Sequence, residues 1–267
     1  MKKSVVVMLL LLPSLAAAQV DSVHRPDVIR FADGIVHTYT SPLRWKKSDW
    51  AKFSGVVLGT AALTLADKPI RNFWINKDEN VLDHVNRVGY HYGKPYCGFL
   101  LAGGLYSTGI IFKNEWLRET GTALVTSLAA AGMLEMALKP LIGRARPENE
   151  RGNYVMTFFN EEPKYHSFPS GHASMAFTVS FVMAKRVESL PIKIFFYTLA
   201  GSTAVCRLYS DAHWTSDVAF GALLGWYCSE AVVQKLKQNR LRPKRNRKTD
   251  INMTPYPGGM TLRATFN

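Results

Sequence analysis

Ser127-Leu128-Ala129-Ala130-Ala131-Gly132, in the middle of the apolar segment from Thr120 to Leu138, decides the fold of this chain. Small side chains recur there without the apolar-polar alternation of a half-buried strand. On a helix they let a neighbouring helix approach closely, either in a membrane bundle or in a tight soluble one. Similar segments run from about Phe53 to Ala66, Tyr96 to Phe112, Ala173 to Ala184, Ile192 to Cys206 and Val218 to Val233. Leu100-Leu101-Ala102-Gly103-Gly104-Leu105 repeats the small-residue character in the second of these. The expectation is an all-α fold, a bundle of about six core helices that is embedded in a membrane or associated with one.

The 267 residues suit one domain with tails. A formal net charge of +13 asks for an anionic partner: nucleic acid, a membrane surface or a phosphorylated substrate. Cys97, Cys206 and Cys228 lie in apolar stretches without regular spacing, which speaks for small buried hydrophobes and against a disulfide framework or a zinc site. Lys2 and Lys3, the apolar run Val5 to Leu12 and Ala16-Ala17-Ala18 read as a signal peptide over residues 1–18. Export to a bacterial cell envelope is therefore expected, and it makes nucleic acid a poor partner. Residues 19–50 form a mixed lead-in with room for one short helix, 51–238 the helical core and 239–267 a basic tail.

Running from the end of the core into that tail, Lys235 to Lys248 contains no acidic residue and suits anionic lipid headgroups, at about 1 kcal/mol per basic side chain near the surface. Met260 to Asn267 alternates like one strand. If all six segments cross a bilayer, Lys46, Lys47, Lys113, Arg118, Lys185, Arg186 and the tail share one side. The positive-inside bias puts that side in the cytoplasm, whereas a cleaved leader delivers the mature N-terminus to the outside. The two signals oppose each other. The expectation carried forward is membrane association with the active site facing the periplasm.

Three stretches carry chemistry. Arg207 precedes His213 and Asp217, which stand four apart and share one face if they lie on a helix. A carboxylate so placed can hold an imidazole in one tautomer, and a guanidinium suits a pair of phosphate oxygens. Lys139-Pro140-Leu141-Ile142-Gly143-Arg144-Ala145-Arg146-Pro147 reads as a helix end running into a basic loop, because its prolines interrupt the helix. In Pro169-Ser170-Gly171-His172, Ser170 is an N-cap and Gly171 allows close backbone approach. The free N–H groups of the helix start make an anion site, with His172 placed to exchange a proton there.

Together these stretches resemble the type 2 phosphatidic acid phosphatase superfamily. Its first motif, Lys, six residues, Arg-Pro, is met by Lys139, Arg146 and Pro147. The second, Pro-Ser-Gly-His, is met by Pro169, Ser170, Gly171 and His172, and the third, Ser-Arg, five residues, His, three residues, Asp, by Arg207, His213 and Asp217. Cys206 stands where the family has serine, a departure that bears on local packing. The resemblance covers roughly Ala51 to Gln238.

It implies that His213 attacks phosphorus to form a phosphohistidine, that Asp217 orients His213 and stabilises its positive charge, and that His172 is the general acid and base. Lys139, Arg146, Ser170, Gly171 and Arg207 would bind the phosphate. No metal and no cofactor is implied, since three fixed cations meet the charge that magnesium meets elsewhere. His166, close in sequence, is either a substrate contact or a loop histidine. A phosphorylated lipid is the expected substrate: lipid A, an isoprenoid pyrophosphate or a glycerophospholipid phosphate. A soluble periplasmic acid phosphatase, a vanadate-dependent peroxidase and a non-catalytic anion- or lipid-binding protein are the alternatives. Nothing in the sequence assigns an oligomeric state.

Overall fold

The computed structural model describes residues 26–77, 79–241, 249–256 and 259–266. The expected signal peptide, residues 1–18, lies outside them, as does the stretch 242–248 of the basic tail. In chain order the helices are α1 (Asp27–Thr40), α2 (Lys47–Leu63), α3 (Asp67–Ile75), α4 (Glu79–Tyr92) and α5 (Pro95–Ile111). They continue with α6 (Glu115–Ile142), α7 (Gly171–Arg186), α8 (Leu190–Tyr209) and α9 (Thr215–Leu241). The six apolar segments read from the sequence are α2 and α5 to α9, so the fold is the expected all-helical one.

The small-residue stretch of α6 is the centre of the packing. Asn114 caps its start by accepting from the Leu117 N–H at 3.1 Å. Ala123, Leu124 and Leu128 are buried against Met175, Ala176, Val179 and Val182 of α7 in the main core. Ala130 and Ala131 meet Leu224 and Cys228 of α9 in a second cluster. Cys206 and Cys228 are buried free thiols, and Cys97 is a half-buried one. The helix ends at Gly143, which has a left-handed φ of 59° and returns its N–H to the Lys139 carbonyl at 2.9 Å. This sharp stop sends the chain from Lys139 across the end of the bundle.

Three helices add to the six segments. α1 belongs to the sequence's lead-in, yet it packs on α6 and α9, with the Tyr39 hydroxyl donating to the Ala130 carbonyl at 2.9 Å. α3 and α4 fill the connection between α2 and α5 and cover the site end of α8. Trp45, just before α2, packs on Tyr227, about halfway along α9. Lys46 and Lys47 therefore lie near mid-height, away from Lys113 and Arg118 at the start of α6.

Phe53, Val57 and Leu58 on α2, Phe99 and Leu100 on α5, and Leu190, Ile194 and Phe195 on α8 are exposed. Among the described residues, α6 alone is long and apolar enough to cross a membrane by length and composition. α2 and α5, at 17 residues each, fall short of the roughly 20 that a straight span needs. In the tail, β1 (Thr249–Tyr256) and β2 (Gly259–Phe266) form an antiparallel hairpin, in register from Thr249 with Phe266 to Tyr256 with Gly259. The strand expected near the C-terminus is thus half of a hairpin.

Candidate active site

The C-terminal ends of α6 and α8 and the N-terminal ends of α7 and α9 meet at one end of the bundle, and every candidate site residue lies on or beside these ends. His213 sits in the turn before α9, 5% exposed. Its Nδ1 lies 2.7 Å from the Ser167 carbonyl oxygen. A carbonyl can only accept, so Nδ1 carries the proton and Nε2 keeps its lone pair. Asp217 is 4.0 Å from the same Nδ1, beyond hydrogen-bond reach. Ser167 therefore makes the direct contact expected of Asp217. Asp217 acts one step back: its Oδ2 accepts from the Ser167 hydroxyl at 2.5 Å and the Trp214 N–H at 2.9 Å, while Oδ1 takes Arg144 Nη1 at 2.5 Å.

Arg144 is the most instructive residue that the motif reading left without a role. It is 1% exposed and lies in the same basic loop as Arg146. Its guanidinium spans Asp217 and Asp67, the latter at 2.7 Å, and donates to the Asn153 carbonyl at 2.7 and 3.0 Å. Asp67, at the start of α3, also accepts from the Ser216 N–H and hydroxyl at 2.9 and 2.7 Å. Two carboxylates thus balance one buried cation and fix the turn that carries His213. Nearby, Arg71 holds Asp211 through two bonds of 2.7 and 2.6 Å, tying α3 to the loop after α8.

Three cations surround the imidazoles. Arg207, 7% exposed on the last turn of α8, has its Nε without a hydrogen-bond partner. Arg146 is braced by donation to the carbonyls of Pro163 and Ala212, each at 3.1 Å. Lys139 pairs with Glu135 at 2.5 Å one turn earlier on α6. Burial holds the His213 pKa well below its ordinary value, and the positive field of Arg146, Lys139 and Arg207 adds to this. Burial and the field of Arg207, Lys94, Lys139 and Arg146 bring His172 down to about 3. Both rings are therefore neutral at pH 7. The same field that keeps protons off them favours an incoming phosphate.

Ser170, fully buried, caps α7 with its oxygen 3.5 Å from the Ala173 N–H. Its own N–H is taken by the Asp217 carbonyl at 3.1 Å, which locks the start of α7 to that of α9. The Glu135 carboxylate lies directly against Gly171, so a β-carbon there would collide with it. His172, in the first turn, has a buried Nε2 with no partner. Its ring packs 5.4 Å from Tyr90 of α4, another residue that the motifs did not flag. His166 lies outside this group, with its Nε2 2.9 Å from the Asn160 carbonyl. Cys206 is wholly buried with its Sγ 3.3 Å from Arg207 Nη2, so the side chain at this position touches the arginine of the third motif.

Four helix ends, two neutral imidazoles and a convergent set of cations come together at this end of the bundle. Residues 120–241, a little under half of the chain, match the family model of the PAP2 superfamily. The chain is 34% identical over 111 residues to a lipid A 1-phosphatase of Rhizobium etli, a match covering 40% of this chain and 47% of that protein. The chain thus spans about half the length of this relative. It is 26% identical over 204 residues to a lipid A 1-phosphatase of Rhizobium johnstonii, covering 70% of this chain and 79% of that one. Among solved structures, a transmembrane PAP2-type phosphatidylglycerolphosphate phosphatase of Bacillus subtilis superposes with a TM-score of 0.56 at 20% identity, covering 72% of this chain and 96% of that one. That likeness supports the helical fold.

Proposed function

We propose that this protein is a phosphatase that hydrolyses the phosphate ester of a membrane lipid through a phosphohistidine, without a metal. The observation that carries the reading is the fixed tautomer of His213: Nδ1–H is committed to Ser167, which leaves Nε2 as a nucleophile inside a field of three cations. Arg146, Arg207 and Lys139 neutralise charge on the phosphoryl oxygens as it builds, with the N–H groups at the start of α7. The negative phosphate offsets the field that depresses His172, and the ring becomes able to hold a proton next to the leaving oxygen. His172 then protonates the departing alkoxide, and in the second step it removes a proton from the water that attacks phosphohistidine. Asp217 supports the charged His213 through Ser167 and across 4.0 Å.

Exposed apolar side chains on α2, α5 and α8, the apolar length of α6 and the relatives' names favour a lipid over a soluble ester. Lipid A is the first candidate. The leader and the chemistry together suit a protein exported to the envelope, with the site facing the periplasm and the basic tail on anionic headgroups. The test is phosphate release by purified protein from lipid A, an isoprenoid pyrophosphate, phosphatidylglycerol phosphate and an aryl phosphate, with chelator present. Wild-type protein should release phosphate and yield an acid-labile phosphoenzyme that His213→Ala lacks. Full turnover by His213→Ala would overturn the mechanism, and preference for the aryl phosphate over every lipid would overturn the substrate class.

A further inference from the structure

Beside the phosphate site a cleft of about 370 Å³ opens along α4, lined by Asp83, Asn86, Arg87, Tyr90, Arg207 and Ser210, with His91 at its edge. Positions 83, 86, 87, 90 and 91 fall on one helical face, so α4 presents a polar surface to the site. Arg207 belongs to both cleft and phosphate site, and Tyr90 links them, with its ring 5.3 Å from the Arg207 guanidinium and 5.4 Å from His172. The contact is close because Gly89 and Gly93 face α8 and His172. A β-carbon at Gly89 would strike the Ser202 carbonyl, and one at Gly93 would strike Thr203 and His172.

Direction follows from the chemistry. In-line attack by His213 expels the leaving oxygen on the opposite side of phosphorus, where its proton donor must stand. The leaving group therefore departs on the His172 side, towards Tyr90 and the cleft. Three buried polar atoms along this path have no hydrogen-bond partner: His172 Nε2, Arg207 Nε and Asn86 Oδ1. The first two are accounted for by the leaving oxygen and the phosphate. Asn86 Oδ1 is an acceptor that neither explains, and the Asp83 carboxylate adds acceptor oxygens one turn earlier on the same face.

We propose that this cleft is the leaving-group subsite and that it takes a sugar ring, whose hydroxyl or amide N–H groups donate to Asn86 and Asp83. An isoprenoid or diacylglycerol leaving group has no such donors to offer, and the glycerol head group of phosphatidylglycerol phosphate offers a single hydroxyl. The assignment rests on the phosphatase reading above and narrows its substrate to a glycosyl phosphate, with any lipid chains running out of the cleft.

The experiment compares kcat/KM for an N-acylated glucosamine 1-phosphate with kcat/KM for a long-chain alkyl phosphate. In Asn86→Leu the ratio of the two is expected to fall about tenfold, the cost of leaving a sugar donor unpaired. Asn86→Asp, which keeps an acceptor at the same place, should hold the ratio within about threefold. An unchanged ratio in Asn86→Leu, or an equal loss in Asn86→Asp, would overturn the subsite while leaving the phosphatase reading intact. If wild-type protein hydrolyses neither ester, the phosphatase reading itself fails.

Discussion

His213 donates from Nδ1 to the carbonyl oxygen of Ser167 at 2.7 Å. Asp217 thereby becomes a positioning residue, because its carboxylate holds the Ser167 hydroxyl and neutralises Arg144 instead of gripping the imidazole. Removing one partner of a buried ion pair costs about 3–5 kcal/mol, since it strands the other charge. Asp217→Asn is expected to lower unfolding free energy by about that amount, with a loss of kcat as the Ser167 carbonyl drifts. Urea denaturation together with kinetics decides the point. Wild-type stability with a collapsed kcat would mean that Asp217 acts on His213 directly.

The depressed histidines make stability depend on pH. His172 titrates near 3 in the folded chain against an ordinary 6.5, so below pH 6.5 the unfolded chain takes up a proton that the folded one refuses. The contribution of neutral His172 is complete above that pH and drains away as pH falls towards 3. His213, lowered in the same direction, adds to the effect. Thermal melts should show stability lost between pH 7 and pH 5, with about 1 kcal/mol of it abolished by His172→Asn after allowance for solvent screening. Inorganic phosphate should flatten the same pH dependence, because its charge favours the protonated rings. A melt that is flat from pH 7 to 5 in wild-type protein would contradict the arrangement of cations.

Glu135 holds Lys139 at 2.5 Å and lies against Gly171, which puts a carboxylate beside the N–H groups proposed to bind phosphate. Bound phosphate and this carboxylate repel each other and compete for the same lysine. Glu135→Gln keeps the shape and removes the charge. Its inhibition constant for inorganic phosphate is expected to fall several-fold, by roughly 1 kcal/mol of relieved repulsion at the edge of the site. Weaker phosphate inhibition would show instead that Glu135 is needed to aim Lys139.

The helices were legible because small and apolar residues declare themselves by composition, and the motif residues because three spacings coincide. His172, Ser170, Gly171, Arg146, Arg207 and Lys139 all come to the same end of the bundle. What the sequence hid was support. α1 is nearly half polar in pattern, and its buried face appears only once α6 and α9 are in place. α3 and α4 mix charged and apolar residues, and the polar face of α4 finds a role only where it lines the cleft beside Arg207. Arg144 was visible as one of several loop cations. Its burial follows from Asp67 and Asp217, which lie 77 and 73 residues away in the chain. Such a pairing leaves no periodic trace.

Asp67 is the sharpest case. Its side chain is fully buried, holds Arg144 Nη2 and satisfies both the N–H and the hydroxyl of Ser216 at the start of α9. Asp67→Ala deletes all three hydrogen bonds at once and leaves the buried guanidinium with Asp217 as its remaining carboxylate. Ser216 neighbours Asp217, so the α9 N-terminus loses its anchor to α3, and with it the frame that sets Ser167 and His213. The variant is expected to lose about 3–5 kcal/mol of stability and to hydrolyse every ester more slowly, without a change in leaving-group preference. Asp67→Asn, which retains one acceptor oxygen, should recover part of both. If Asp67→Ala unfolds at the same urea concentration as the wild type, the two-carboxylate clamp on Arg144 does not hold the site together.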